Sequence, residues 1–214
     1  MHDKIYFRDM YHLSDFHQGN SAGRYNIPKI NKEYFIPPRL IDFSQALTSK
    51  DYESGIHFYI DDVRFERLWR SPQRYLPILK RFSCVLSPDF SLYRDMPLAM
   101  KIWNVYRSRL LGQIMQRAGI RVIPTISWAT EDTYSFCFSG IGCNSVISIS
   151  TVGTQRTTKA QSIFQEGCRK MCSVIKPRVI LIYGSIPDFD FGKIETIQYK
   201  YSRYDWKKRK NKVY

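Results

Sequence analysis

The sequence predicts an α/β fold built from repeated βα units around a mostly parallel sheet. Strand-like segments begin near residues 56, 84, 121, 145 and 178, so successive starts lie 28, 37, 24 and 33 residues apart. That is the length a strand, a loop and a crossover helix occupy together. The stretches between them carry helical periodicity, and 43% hydrophobic residues over 214 positions leave enough apolar side chain for a core. Right-handed crossovers of this size fit a small or incomplete barrel, which we favour, or an open doubly wound sheet.

Taken in order, residues 1–38 are polar and aromatic with turn signals at Gly19-Asn20, Ala22-Gly23 and Pro37-Pro38. We expect an arm that packs on the body through Tyr25, Ile27, Tyr34, Phe35 and Ile36. The α/β domain follows over 39–192 and a basic tail over 193–214. Residues 39–43 make a possible first strand, and 55–60 a stronger one, β-rich and bounded by Gly55 and Asp61-Asp62. Residues 63–82 show helical spacing, with Ser71-Pro72 starting a second helix because proline suits a first turn.

A short buried strand at 84–86 ends at Ser87-Pro88-Asp89. The clearest helix runs from an N-cap at Asp95 to a stop at Gly119, with Leu98, Ile102, Val105, Leu110, Ile114 and Met115 along one apolar stripe. Strands at 121–126 and 145–150 follow, the first cut short by Pro124. A helix over 157–175, a strand over 178–183 and a weak strand at 195–199 complete the body.

Thirty-three basic against nineteen acidic residues give a net charge of +14, which points to polyanionic partners. The tail from 193 supplies eight cations and two anions, and Lys200, Arg203, Lys207, Lys208, Arg209 and Lys210 are interleaved with Tyr199, Tyr201, Tyr204 and Trp206. Cations on phosphates and aromatic rings under bases are how single-stranded nucleic acid is held. No apolar run approaches ~18 residues, so no membrane partner is expected. The five cysteines are odd in number and follow no export-like leader, as expected for reduced thiols of the cytoplasm.

In either α/β arrangement, ligands bind beyond the carboxyl ends of the strands. Those ends carry Asp61 and Asp62; Ser87 and Asp89; Ser127 and Trp128; Thr151, Gly153 and Thr154; and Tyr183, Gly184 and Ser185. Asp62 and Asp89 suit general acid–base work, although Asp61-Asp62 also suits the start of a helix. Arg94, Arg107 and Arg109 are the candidate cations. Arg107 and Arg109, two apart on the long helix, cannot face the same way, so one is expected to reach the site or a phosphate and the other to be solvated. The turn at 151–156 lacks the glycines and the Lys-Ser/Thr ending of a phosphate-binding loop. His57 sits inside a strand, where a packed histidine is the ordinary case, and the cysteine and histidine spacings suggest no metal site. No cofactor or oligomeric state is assigned.

The strings at 87–97 and 102–109, then 119–124, Trp128, 136–141, 148–151 with Gly153, and Tyr183-Gly184 resemble the domain-of-unknown-function 4417 family. The resemblance covers roughly residues 35–190 and implies a bacterial protein of the kind carried by phages and other mobile elements. It adds weight to Asp89, Arg94, Asp95, Asn104, Arg107, Trp128, Thr151 and Tyr183, but carries over no reaction. Three functions are therefore expected in order: nucleic-acid binding or processing, an enzyme on a nucleotide or phosphorylated small molecule, and an inhibitor of a host protein.

Overall fold

The computed structural model describes residues 9–200. A short antiparallel hairpin, β1 (Ser21–Ala22) and β2 (Ile27–Pro28), opens the chain. Strands β3 (Leu40–Asp42), β4 (Gly55–His57), β5 (Cys84–Leu86) and β6 (Val122–Ile123) form a parallel sheet in chain order. Strands β7 (Val146–Ser150), β8 (Val179–Tyr183) and β9 (Glu195–Tyr199) form a second parallel sheet, also in chain order. The two meet at a parallel bridge between Thr125 and Ser148, where the Ile126 N–H donates to the Ser148 carbonyl at 2.8 Å and the Ser148 N–H to Pro124 at 2.9 Å.

This order decides between the two expected architectures. A doubly wound sheet reverses its strand order midway; here the order runs one way from β3 to β9. Alternate residues of the strands converge on one inner cluster: Cys84, Leu86, Ile123, Val146, Val179, Leu181 and Tyr199, with Leu40 against them. The curve stops short of a closed barrel. No backbone ladder joins β9 to β3 among the described residues. Instead the Tyr199 hydroxyl donates to the Pro37 carbonyl, just before β3, at 2.5 Å.

The opposite faces of the strands meet the helices, because successive strand side chains alternate. Ile56, Val85 and Val122 pack under α2 (Glu66–Arg70), α3 (Pro72–Leu79) and α4 (Leu98–Arg117). Ile147, Ile149, Ile180 and Ile182 pack with Phe136 of α5 (Tyr134–Cys137) and with Phe164, Cys168 and Met171 of α6 (Thr158–Ile175). Each such fully buried side chain is worth about 1.5–3 kcal/mol. A single turn, α1 (Phe43–Ala46), follows β3 and is closed by a capping box between Asp42 and Gln45.

Two details differ from the sequence expectation. The N-cap of α4 is Pro97, not Asp95. Pro97 is extended (φ −52°, ψ 142°), so the chain enters the helix two residues later and the Asp95 side chain stays exposed. Nor is α4 a one-sided stripe: Asn104, Arg107, Arg109 and Gln113 are buried along with its apolar residues. Several elements cover it: Asn104 donates to the Ser91 carbonyl, Arg107 to Glu66, and Arg109 to the Thr125 and Cys137 carbonyls, while Gln113 is covered by the arm. The arm crosses the outer side of α4, where the Gln113 amide donates to the Asn20 carbonyl at 2.7 Å and Gln116 exchanges bonds with the Asn31 backbone. The helix ends as expected, with Gly119 at φ +81°, a conformation that glycine takes at little cost.

Candidate functional site

The segment leaving β5 carries Asp89 to the carboxyl end of the sheet. There it lines a cleft of about 150 Å³ with Ser91, Leu92, Ser127, Trp128, Ser150 and Phe164. The Ser127 hydroxyl donates to Asp89 Oδ1 at 2.8 Å. Burial disfavours the ionised carboxylate and raises its pKa to about 6. The negative charge of Asp62 adds to the rise, while the Ser127 bond and Arg109 oppose it. Arg109 is itself buried on α4, donating to the Thr125 carbonyl at 2.8 Å and the Cys137 carbonyl at 3.0 Å. Burial lowers its pKa to about 10, which still leaves a positive charge at neutral pH.

Trp128 forms a wall of the cleft, tilted against Phe164 with ring centroids 5.2 Å apart. Its place depends on Gly167 of α6. A Cβ at Gly167 would lie 1.9 Å from the indole Nε1, so only a residue without a side chain lets the ring approach the helix. Gly167→Ala therefore sets a helix gain of roughly 1 kcal/mol against overpacking of about 1–3 kcal/mol. We expect net destabilisation with an altered Trp fluorescence spectrum, read by urea titration. A more stable variant with an unchanged spectrum would show that the ring is not held there.

The inner face beside the cleft is aromatic. Tyr183, His57 and Tyr59 form a mutual stack, with centroids 4.4 Å apart for His57 and Tyr183 and 5.0 Å for Tyr59 and Tyr183. The Tyr59 hydroxyl and Ser148 Oγ lie 2.6 Å apart, and burial pushes the Tyr59 phenol well above its usual range. The Tyr59 N–H donates to His57 Nδ1 at 3.1 Å, so a neutral His57 carries its proton on Nε2.

The sequence-derived candidates separate into three places. Asp89 and Trp128 share the cleft, and Arg94 lines a groove that adjoins it. Thr151 and Tyr183 sit alongside: the Thr151 hydroxyl donates to the Ser185 carbonyl at 2.7 Å, between the cleft residues Ser150 and Val152. Asp62 and Arg107 lie behind, in a chain of bonds that braces the segment carrying Asp89. Asp62 accepts from the Ser91 N–H and hydroxyl, Asn104 donates to the Ser91 carbonyl, and Arg107 donates to Asn104 Oδ1 and to Glu66. The Arg107 guanidinium also stacks 3.8 Å from the Phe90 ring. Lys200 is exposed after β9, whereas Arg203, Lys207, Lys208, Arg209 and Lys210 lie outside the described residues.

Sequence reasoning missed Tyr59, Ser148, Phe164 and Lys159. Strand alternation offered a signal for the first two, since His57 and Tyr59, like Ser148 and Ser150, are two apart and share the inner face. Among the described residues no three His, Cys, Asp or Glu side chains gather as a metal site, and no helix is long and apolar enough to cross a membrane. A further hollow of about 400 Å³, lined by Tyr11, Leu13, Ala99, Ile102, Trp103 and Tyr106, has no carboxylate or cation among those side chains.

Two phage proteins are similar to this chain over most of their length. The "Gene 1 protein" of Mycobacterium phage L5 is 38% identical over 197 residues, covering 90% of this chain and 85% of the relative. The "Gene 1 protein" of Mycobacterium phage D29 is 36% identical over 197 residues, covering 90% of this chain and 72% of the relative. No solved structure matches. The family model described as "Domain of unknown function (DUF4417)" matches residues 19–200, which include every strand of both parallel sheets and the whole Asp89 cleft. With that span matched, this chain belongs to the DUF4417 family and is a relative of phage proteins.

Proposed function

We propose that this protein is an enzyme acting on a nucleotide or another phosphorylated small molecule at the carboxyl ends of its strands, with Asp89 as general base. The observation that carries this reading is a half-buried carboxyl in a cleft, with a pKa raised to about 6. A base poised just below working pH is ionised yet still basic enough to take a proton from water or a hydroxyl. Ser127 orients the carboxyl, Trp128 offers a flat wall, and Thr151 and Tyr183 shape the neighbouring backbone and inner face. Asp62 and Arg107 act as positioning residues through Ser91 and Asn104.

A panel of nucleotides and sugar phosphates, followed by mass spectrometry, tests the proposal. We expect turnover of a phosphorylated member, with kcat/KM rising with pH through an apparent pKa near 6. Asp89→Asn should lower it by roughly 10²–10⁴, the usual worth of a general base. Equal turnover by the variant, or none by the wild type across the panel, overturns the reading.

The charge of +14 favours a second activity, the binding of nucleic acid through Lys200, Arg203, Lys207, Lys208, Arg209 and Lys210. Five free thiols fit the reducing cytoplasm of a host cell, which is where we place the protein.

A further inference from the structure

The groove that adjoins the Asp89 cleft is the larger of the two. It has a volume of about 680 Å³ and is lined by Tyr93, Arg94, Asp95, Thr130, Lys159 and Ile163. The same two segments line both hollows: Leu92 and Phe164 belong to the cleft, and their chain neighbours Tyr93 and Ile163 belong to the groove. Two cations from separate elements line the groove. Arg94 comes from the segment after β5, and Lys159 from the first turn of α6. That turn carries no acidic residue, so Lys159 adds to the positive end of the helix dipole where a carboxylate would be the stabilising choice.

The wall that bears Arg94 is held in place from below. Lys101 of α4 is only 3% exposed, an unusual position for a lysine. Its ammonium donates to the Arg94 carbonyl at 3.0 Å and pairs with Asp132 at 3.6 Å. One buried cation thus ties the Arg94 segment to the loop that contributes Thr130. Asp95 is the carboxylate lining the groove, and Asp132 is engaged by Lys101 and by the Thr130 hydroxyl. Excess positive charge on a fixed wall beside a flat aromatic surface suits a ligand that is anionic at one end and planar or apolar at the other.

We infer that Arg94 and Lys159 grip the phosphate of a phosphomonoester whose remaining part extends along Leu92, Trp128 and Phe164 towards Asp89. Lys101 is a positioning residue, fixing the backbone from which Arg94 projects. This inference rests on the Asp89 cleft being the reaction centre, and it adds what the substrate must carry. Both a mononucleotide and the 5′ end of a nucleic acid present this chemistry.

Calorimetric titration of the full chain with AMP, adenosine, and an oligonucleotide with or without a 5′-phosphate tests it. The wild type should bind AMP at least tenfold tighter than adenosine. Arg94→Ala and Lys159→Ala should each weaken AMP by about tenfold or more, the usual loss for a hydrogen bond to a charged group, while leaving adenosine unchanged. Arg94→Lys should restore part of the loss. AMP binding no tighter than adenosine, undetectable in the wild type, or indifferent to both substitutions overturns the inference. Loss in the two cation variants with full turnover in Asp89→Asn would uphold the phosphate grip and reject only the general base. The oligonucleotides decide the source. A preference for the 5′-phosphate equal to that for AMP over adenosine identifies chain ends as substrates, and its absence identifies mononucleotides.

Discussion

Asp89→Asn will be more stable than the wild type at pH 7.5 by up to about 3 kcal/mol, and nearly equal to it at pH 4. The magnitude follows from a pKa raised from 3.8 to about 6, at about 1.36 kcal/mol per unit. The sign is set by where the proton is held. Between pH 4 and 6 the unfolded chain has lost the Asp89 proton and the folded protein retains it, so stability falls as pH rises through that window. Above about 6 both states are ionised, and the full cost of a buried carboxylate stands. Asparagine is neutral at every pH and its carbonyl still accepts the Ser127 bond, so the variant escapes that cost. Urea titrations of both proteins between pH 4 and 8 measure the difference directly. A variant less stable than the wild type at pH 7.5 would mean that the carboxylate is well solvated or paired. The basis for a poised base would then be gone. Gain of stability with loss of turnover is the expected mark of a residue retained for chemistry.

The strand positions were legible because each βα unit must bury one strand and one helix, and that requirement sets a repeat length. Gly55, Cys84, Val122, Val146 and Val179 begin strands within one or two residues of the expected starts. What the pattern leaves open is whether the sheet closes, because closure depends on side chains far apart in sequence. Tyr199 reaching Pro37 across 162 positions has no local signature. The same distinction divides the site. Asp89 and Trp128 were recognisable as polar and aromatic residues just beyond strand ends. Asp62 and Arg107 share that look in sequence, yet they serve a brace whose members, Ser91, Asn104 and Glu66, lie up to 41 positions away. The α4 N-cap moved from Asp95 to Pro97 for a local reason. A capping aspartate is preferred by about 1 kcal/mol, but proline disfavours the helical conformation at the residue before it, so Met96 cannot begin the helix and Pro97 itself stays extended.

Deleting residues 201–214, a cut that leaves β9 whole, will weaken nucleic-acid binding and flatten its salt dependence. Each phosphate neutralised releases counterions, so log K falls against log salt with a slope near −0.9 per contact on duplex DNA and about −0.7 on single strands. Lys207, Lys208, Arg209 and Lys210 lie within the deleted stretch, and four such contacts would change the slope by roughly 2–4 units. Over a fourfold rise in salt, a slope of that size separates intact and truncated proteins by on the order of a hundredfold in relative affinity. The loss should be nearly equal for all sequences, since phosphate contacts position a protein without reading bases. Fluorescence anisotropy on labelled DNA and RNA from 50 to 200 mM salt measures both quantities. The residues lining the Asp89 cleft all precede the cut, so mononucleotide binding should survive it. If the intact protein fails to bind either polymer at ~50 mM salt and micromolar concentration, where a non-specific basic protein binds, polymer recognition is rejected. The +14 charge would then serve solubility and the capture of small anionic substrates, and the groove beside Asp89 would carry the whole of the function.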